Sequence, residues 1–166
     1  PGWAEQDPLE VWESLVHAVR ECVNLSDVDP SSIVAICCAG TSSTVIVVDR
    51  EGFPLRPAIM WMDSRAVSQA TTIETTKHPI LRYVGGKDAV EWMTPKALWI
   101  KENEPEIYAK SYRIVEIADW FMYKLSGEWT ASQCNATCKW NYVSREGGWK
   151  ADFFEAVGLD DILDKW

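Results

Sequence analysis

Lys139 is a lone charge in an apolar setting, flanked by Cys138 and Trp140. An ammonium group offers three donors on a flexible stem, which suits a ligand rich in oxygens; equally, the stem can lie along the aromatics and put its head in water. Thr41, Ser42 and Ser43 are three consecutive hydroxyls after an apolar run, able to hydrogen-bond a polar ligand, although hydroxyl residues after a strand more often only form the turn. Trp61 could serve as a flat platform or as rim packing. Asp63 and Arg65 could clamp a substrate, or act as a helix N-cap and a first-turn surface residue. His17 lies in a helical stretch and His78 precedes Pro79, so neither has a companion for metal or nucleophilic chemistry. The sequence holds neither glycine-rich phosphate pattern, GxxxxGKS/T or GxGxxG.

These groups need elements to position them. Residues 33–38 form an apolar run too short for an ordinary helix and bounded by turn formers, which predicts a fully buried strand ending at Ala39-Gly40-Thr41. A second run, residues 44–48, is rich in β-branched side chains and ends at Asp49-Arg50-Glu51-Gly52, with the Asp-first, Gly-last chemistry of a type I turn. A third, residues 58–61, follows Pro57 and leads into Asp63. Ligands of α/β sheets sit beyond the carboxyl ends of strands, so the hydroxyl loop and the Trp61–Asp63 junction are expected to line one pocket.

Helices frame this stretch. Asp7 as N-cap, Pro8 at the first helical position and Glu10 in a capping box predict a helix whose apolar stripe is Trp12, Leu15, Val16, Val19 and Val23. Residues 24–32 read as a loop. Asp63 or Ser64 should cap a helix to about Lys77, and Thr94-Pro95 another carrying Ala97, Leu98 and Ile100. A turn of helix after Pro105, a strand at residues 112–115, a helix at 118–125 ended by Gly127, and a small helix at 151–157 complete the pattern.

The 166 residues suffice for one domain with a substantial core, and 25 acidic against 16 basic residues leave a net charge of -9. Such a charge repels phosphate backbones and anionic membranes, so nucleic acid and membrane partners are not expected. Five cysteines, odd in number and without a CxxC pair, fit a reducing, cytoplasmic setting.

Four blocks occur in order: PGWAEQDP at residues 1–8, DREGFPLRPAIMWMDSRA at 49–66, PKALWIKENEP at 95–105 and ADWFMYKLSGE at 118–128. Together they resemble the N-terminal domain of the FGGY family of carbohydrate kinases. KHPILRYVGG at 77–86, EWMTPK at 91–96 and CNATCKW at 134–140 are similar to the pentulose kinase branch, the ribulokinases and D-ribulokinase-like enzymes. The resemblance implies an α/β, actin-like (ribonuclease H-like) domain, a mixed sheet with flanking helices. It also implies transfer of the γ-phosphoryl group of MgATP to a sugar hydroxyl, with an aspartate as base. By position, Ser42 and Ser43 fall where the family contacts the sugar, Trp61 beside it, and Lys139 where ribulokinases reach the pentulose; Asp63 completes the substrate-binding candidates. Glycerol kinases place Arg-Glu where Ser42-Ser43 stand, which argues against glycerol.

The family's phosphate loop is expected before Pro1, and its catalytic aspartate and adenosine-binding half after Trp166. Residues 1–166 are thus expected to be the sugar-binding part of an N-terminal domain, without a catalytic residue, cofactor or metal of their own and inactive alone. ATP and Mg belong to the intact enzyme, and the apolar edge of a truncated sheet admits a homo-oligomer. A xylulose- or glycerol-type kinase and a non-catalytic carbohydrate-binding module are the competing expectations.

Overall fold

A computed structural model of the chain describes residues 2–166; Pro1, which opens the first of the blocks above, lies outside the described residues. Val45–Val48 (β2) is the longer of the two inner strands of a four-stranded sheet of order β1-β3-β2-β4, with Glu5–Gln6 as β1, Ala58–Ile59 as β3 and Arg113–Glu116 as β4. Every pairing in it is antiparallel, and the longest sets Val45 against Glu116 and Val48 against Arg113. Side chains alternate across a strand. Val45 and Val47 therefore enter one core with Ile59, Ile73, Ile100 and Phe153, while Ile46 and Val48 enter the other with Trp120 and Phe121. Both faces are covered, which is why this strand reads Val-Ile-Val-Val with no polar alternation.

Helices Val67–Thr75 (α2), Met93–Asn103 (α3), Pro105–Lys110 (α4) and Ala151–Ala156 (α7) lie on the first side. Pro8–Leu25 (α1) and Ile117–Ser126 (α5) lie on the second, where Val11, Trp12 and Leu15 of α1 meet the core. Farther along α1 the expected stripe is uncovered, with Val19 42% exposed. Asp7 caps α1 by accepting from Leu9 N at 2.8 Å. Gln133–Lys139 (α6) is capped by Ser132, which accepts from Asn135 N at 3.3 Å. Its end enters an aromatic cluster in which the Trp140 ring lies 4.8 Å from Trp166 and 6.4 Å from Trp149.

Two expectations need correction. Residues 33–38 form no strand and are not buried: Ile33, Val34 and Ile36 are 50%, 96% and 49% exposed. Apolar β-branched residues make a strand only where a neighbour takes up the backbone bonds and a layer covers the side chains, and among the described residues neither is supplied. The second correction concerns α2, whose N-cap is Ala66 with no side-chain bond, because both candidate caps are engaged elsewhere. Asp63 accepts from Ala4 N at 2.5 Å, and Ser64 Oγ donates to Gly2 O at 3.3 Å.

The turn after β2 forms as expected, with Gly52 N donating to Asp49 O at 3.1 Å and Asp49 Oδ1 accepting from Glu51 N and Phe53 N. Gly52 has φ +81°, and a Cβ there would stand 2.3 Å from the Tyr123 ring. Its carbonyl accepts from Trp120 Nε1 at 3.0 Å, tying turn to core. Gly52→Ala should therefore cost about 2 kcal/mol in urea unfolding, while Glu51→Ala in the same turn stays within about 0.5 kcal/mol. Equal effects at the two positions would contradict this account of the turn.

Candidate functional site

Glu116 ends β4 with its side chain turned into the protein, 1% exposed. Its carboxylate accepts from Ser42 Oγ at 2.8 Å, from Ser43 N at 2.8 Å to each oxygen, and from Trp140 Nε1 at 3.0 Å. Burial raises the pKa of this carboxyl, and the donors around it oppose that rise without cancelling it. The hydroxyl loop and the end of α6 are thereby fixed to one group. Trp140 directly follows Lys139, so Lys139 is delivered to the loop, where its Nζ donates to Ser42 O at 3.3 Å.

Ser43 is fully buried with φ +78°, a left-handed conformation that few non-glycine residues adopt. This twist sends its N–H to Glu116 and its carbonyl the opposite way, to Lys96 Nζ at 2.7 Å. The same ammonium donates to Met60 O at 2.8 Å. Thr44 Oγ1 accepts from Trp61 N at 3.2 Å. The hydroxyl loop and the Trp61 turn are thus adjacent, but not by the strand-end argument: with no strand at residues 33–38 the loop leads into β2 instead of following a strand, and Trp61 is 41% exposed.

Asp63 and Arg65 face inward. Asp63 is 0% exposed; its Oδ2 accepts from Ala4 N and, at 2.7 Å, from Arg65 Nη2, while its Oδ1 accepts from Arg65 N and Nε, each at 2.9 Å. Arg65 Nη1 donates to Glu5 at 2.7 Å, and its guanidinium lies against both the Trp3 and Trp99 rings, 4.1 and 4.8 Å from their centroids, where the two rings meet edge to face. Burial alone would raise the Asp63 pKa, but the Arg65 guanidinium and the Ala4 and Arg65 amides outweigh it and hold the carboxyl below the usual range. The pair is a strut beneath the Trp61 turn rather than a clamp on its open side.

Sequence reasoning misses two residues, Glu116 and Lys96. Each is a charge in an apolar run, the signal that marks Lys139: Glu116 lies between Val115 and Ile117, and Lys96 precedes Ala97-Leu98-Trp99-Ile100. Thr94, expected as a cap, instead donates from its hydroxyl to Asn141 Oδ1 at 2.5 Å, while Asn141 Nδ2 donates to Asp88 at 2.8 Å, joining α3 to the end of α6. A separate cavity of about 320 Å³ is walled by His78, Arg82, Tyr83, Glu146, Lys150 and Asp152 and shares no residue with this site. Its charges are mutually engaged, Arg82 with Glu146 at 2.7 Å and His78 facing Asp152 at 3.4 Å. Among the described residues no three His, Cys, Asp or Glu side chains are grouped to hold a metal ion, and no helix is long and apolar enough to cross a membrane.

The sequence profile of the FGGY family of carbohydrate kinases, N-terminal domain, matches residues 1–163. The chain belongs to that family. It is 35% identical to an FGGY carbohydrate kinase domain-containing protein of Xenopus laevis, over 99% of this chain and 31% of that protein. A D-ribulokinase of Saccharomyces cerevisiae is 30% identical over 95% of the chain and 24% of its own length. Among solved structures, a xylulose kinase from Brucella ovis superposes with a TM-score of 0.82 at 24% identity, covering 96% of this chain and 33% of that one. The actin-like α/β fold of FGGY sugar kinases is therefore the fold of this chain, which spans about a quarter to a third of the length of these relatives.

The Asp63 strut sets a pH dependence for this FGGY domain. A carboxyl with a depressed pKa stabilises the fold above its unfolded value, about 3.9, and that contribution disappears as pH falls through the lower folded value. Glu5, also held low, acts in the same sense. Asp63→Asn leaves Arg65 buried without its partner and should cost about 3 to 5 kcal/mol at pH 7, with a smaller loss at pH 3. Urea unfolding at the two pH values measures this; an Asn variant as stable as the parent at pH 7 would remove the strut from the account.

Proposed function

We propose that this chain is the sugar-recognising part of a longer kinase that transfers the γ-phosphoryl group of MgATP to a hydroxyl of an open-chain pentulose, with ribulose as the preferred substrate. The observation that carries the proposal is the placement of Lys139. One donor of its ammonium is spent on Ser42 O, the side chain is half-buried rather than free in water, and two donors remain for a ligand. Two free donors on one ammonium suit a chain of carbons bearing an oxygen on each.

In this proposal the Trp61 ring supports the C–H face of the sugar, Lys139 donates to its carbonyl and hydroxyl oxygens, and Ser42 offers a lone pair to a sugar hydroxyl while its own proton is held by Glu116. Ser43 and Asp63 act from beneath, since both are fully buried. Phosphoryl transfer is mostly a matter of positioning donor, metal and acceptor together. In this proposal nucleotide, metal and catalytic base are assigned to the rest of the longer protein. The similarity of residues 134–140 to ribulokinases and the D-ribulokinase among the relatives support a pentulose over glycerol.

Coupled ADP-release assays on the intact protein, across ribulose, xylulose, pentitols and glycerol, test the reading. Ribulose is expected to have the highest kcat/KM; absence of sugar-dependent ADP, or a preference for glycerol, would overturn it. Lys139→Met keeps most of the stem and removes the donors. Loss of a hydrogen bond from a charged donor costs roughly 1.5 to 3 kcal/mol, so kcat/KM for the sugar should fall about tenfold to a hundredfold with KM for ATP nearly unchanged. Sugar kinetics at the parent level would return Lys139 to the role of a surface lysine.

A further inference from the structure

Lys96 is the group at this site that the proposed sugar contacts leave unused. It stands in the first turns of α3, is 0% exposed, and sends its stem through the core to the ends of β2 and β3. Nζ donates to Ser43 O at 2.7 Å and Met60 O at 2.8 Å. These carbonyls belong to the two segments that carry the proposed sugar contacts, Ser43 following Ser42 and Met60 preceding Trp61.

We infer that Lys96 is the positioning residue of the sugar surface: it holds the hydroxyl loop and the Trp61 turn at a fixed spacing and never touches the ligand. The inference deepens the sugar-kinase reading above and rests on it. Three features lead to it. Ser43 keeps a left-handed backbone without being glycine, and two charged groups hold it there, Glu116 at its N–H and Lys96 at its carbonyl. Met60 O also accepts from Asp63 N at 3.0 Å, so the ammonium reaches the turn that the Asp63 strut supports. A methionine would fill the same stem volume without the desolvation cost of an ammonium, so volume alone does not account for a lysine here.

Burial lowers the pKa of Lys96 to about 8 against the pull of Asp63, Glu116 and Glu91, while Lys139 pushes it further down. These four are the charged groups that face it, from the turn after β3, the end of β4, the segment before α3, and α6. Above that pH the amine keeps two hydrogens for the two carbonyls but loses the charge that strengthens both bonds. The two segments are then held more loosely, and sugar binding weakens while nucleotide binding does not.

The test uses the intact protein with ribulose, following ADP release for the parent, Lys96→Met and Lys96→Arg. For Lys96→Met, KM for the sugar should rise about tenfold or more, with KM for ATP within about twofold and the circular dichroism of the parent. In the parent, KM for the sugar should climb severalfold between pH 7 and about 9.5; in Lys96→Met it should be flat and already high, and in Lys96→Arg it should be flat because guanidinium keeps its charge. A folded Lys96→Met with the parent's sugar KM overturns the inference. So does a parent sugar KM that stays flat through pH 9.5, which decides the matter even if neither variant folds. An intact protein that phosphorylates none of the sugars instead overturns the kinase reading on which the inference rests.

Discussion

The carboxylate of Glu116 is bonded by three donors from two other parts of the chain: the Ser42 hydroxyl and Ser43 amide of the hydroxyl loop, and the indole of Trp140. It is nearly out of reach of water, so each donor replaces a water that the group has lost, and removing any one leaves part of the charge uncompensated. This constraint is why the proposed site exists as a surface at all. The hydroxyl loop has no regular structure of its own, and α6 is only seven residues long, too short to hold its direction by helix formation alone. Both take their place from one group at the end of β4, an edge strand paired along its whole length with β2.

Opposite charges divide the work around this point. Glu116 draws the backbone of Ser43 toward β4, and Lys96 draws the same residue toward α3. Asp63, Arg65 and Glu5 form a second set beneath Trp61, tying the first residues of the chain to the turn after β3. The buried polar groups here are thus nearly all placed at the ends of strands, where the backbone leaves the ladder and needs other partners. Ser43 Oγ is an exception, buried without a partner in the loop whose backbone is held from both sides.

Much of the frame was legible because local chemistry and tertiary context agree there. Asp7 with Pro8, Asp49 with Gly52, and Gly127 each announce a boundary that the backbone itself requires, and β2, α5 and α7 follow within a residue or two. Residues 33–38 failed for the opposite reason: their composition specifies a buried strand, but a strand is made by its neighbours. The helix α6 was hidden because Asn, Thr and Cys are indifferent helix formers, and only the Ser132 cap signalled it. At the site, Ser42, Trp61 and Lys139 could be picked out as types able to bind a sugar; Lys139 does meet Ser42, and the Trp61 amide is bonded to Thr44 of the same loop. What spacing could not tell was direction, since Asp63 points into the protein and Glu116 and Lys96 point at backbone rather than at solvent.

The aromatic cluster beyond α6 has an optical consequence. The Trp140 indole is bonded to the carboxylate that organises the loop, and its ring lies within a few ångströms of Trp166, which in turn stands 5.7 Å from Trp149. Indole transitions at such separations couple strongly and with a handedness set by the fixed angles between the rings. The near-ultraviolet dichroism of the chain therefore carries a share from this corner, beside those of the Trp3–Trp99 and Trp12–Trp120 pairs. The molecule carries a native spectroscopic gauge one residue away from the lysine that would grip the sugar.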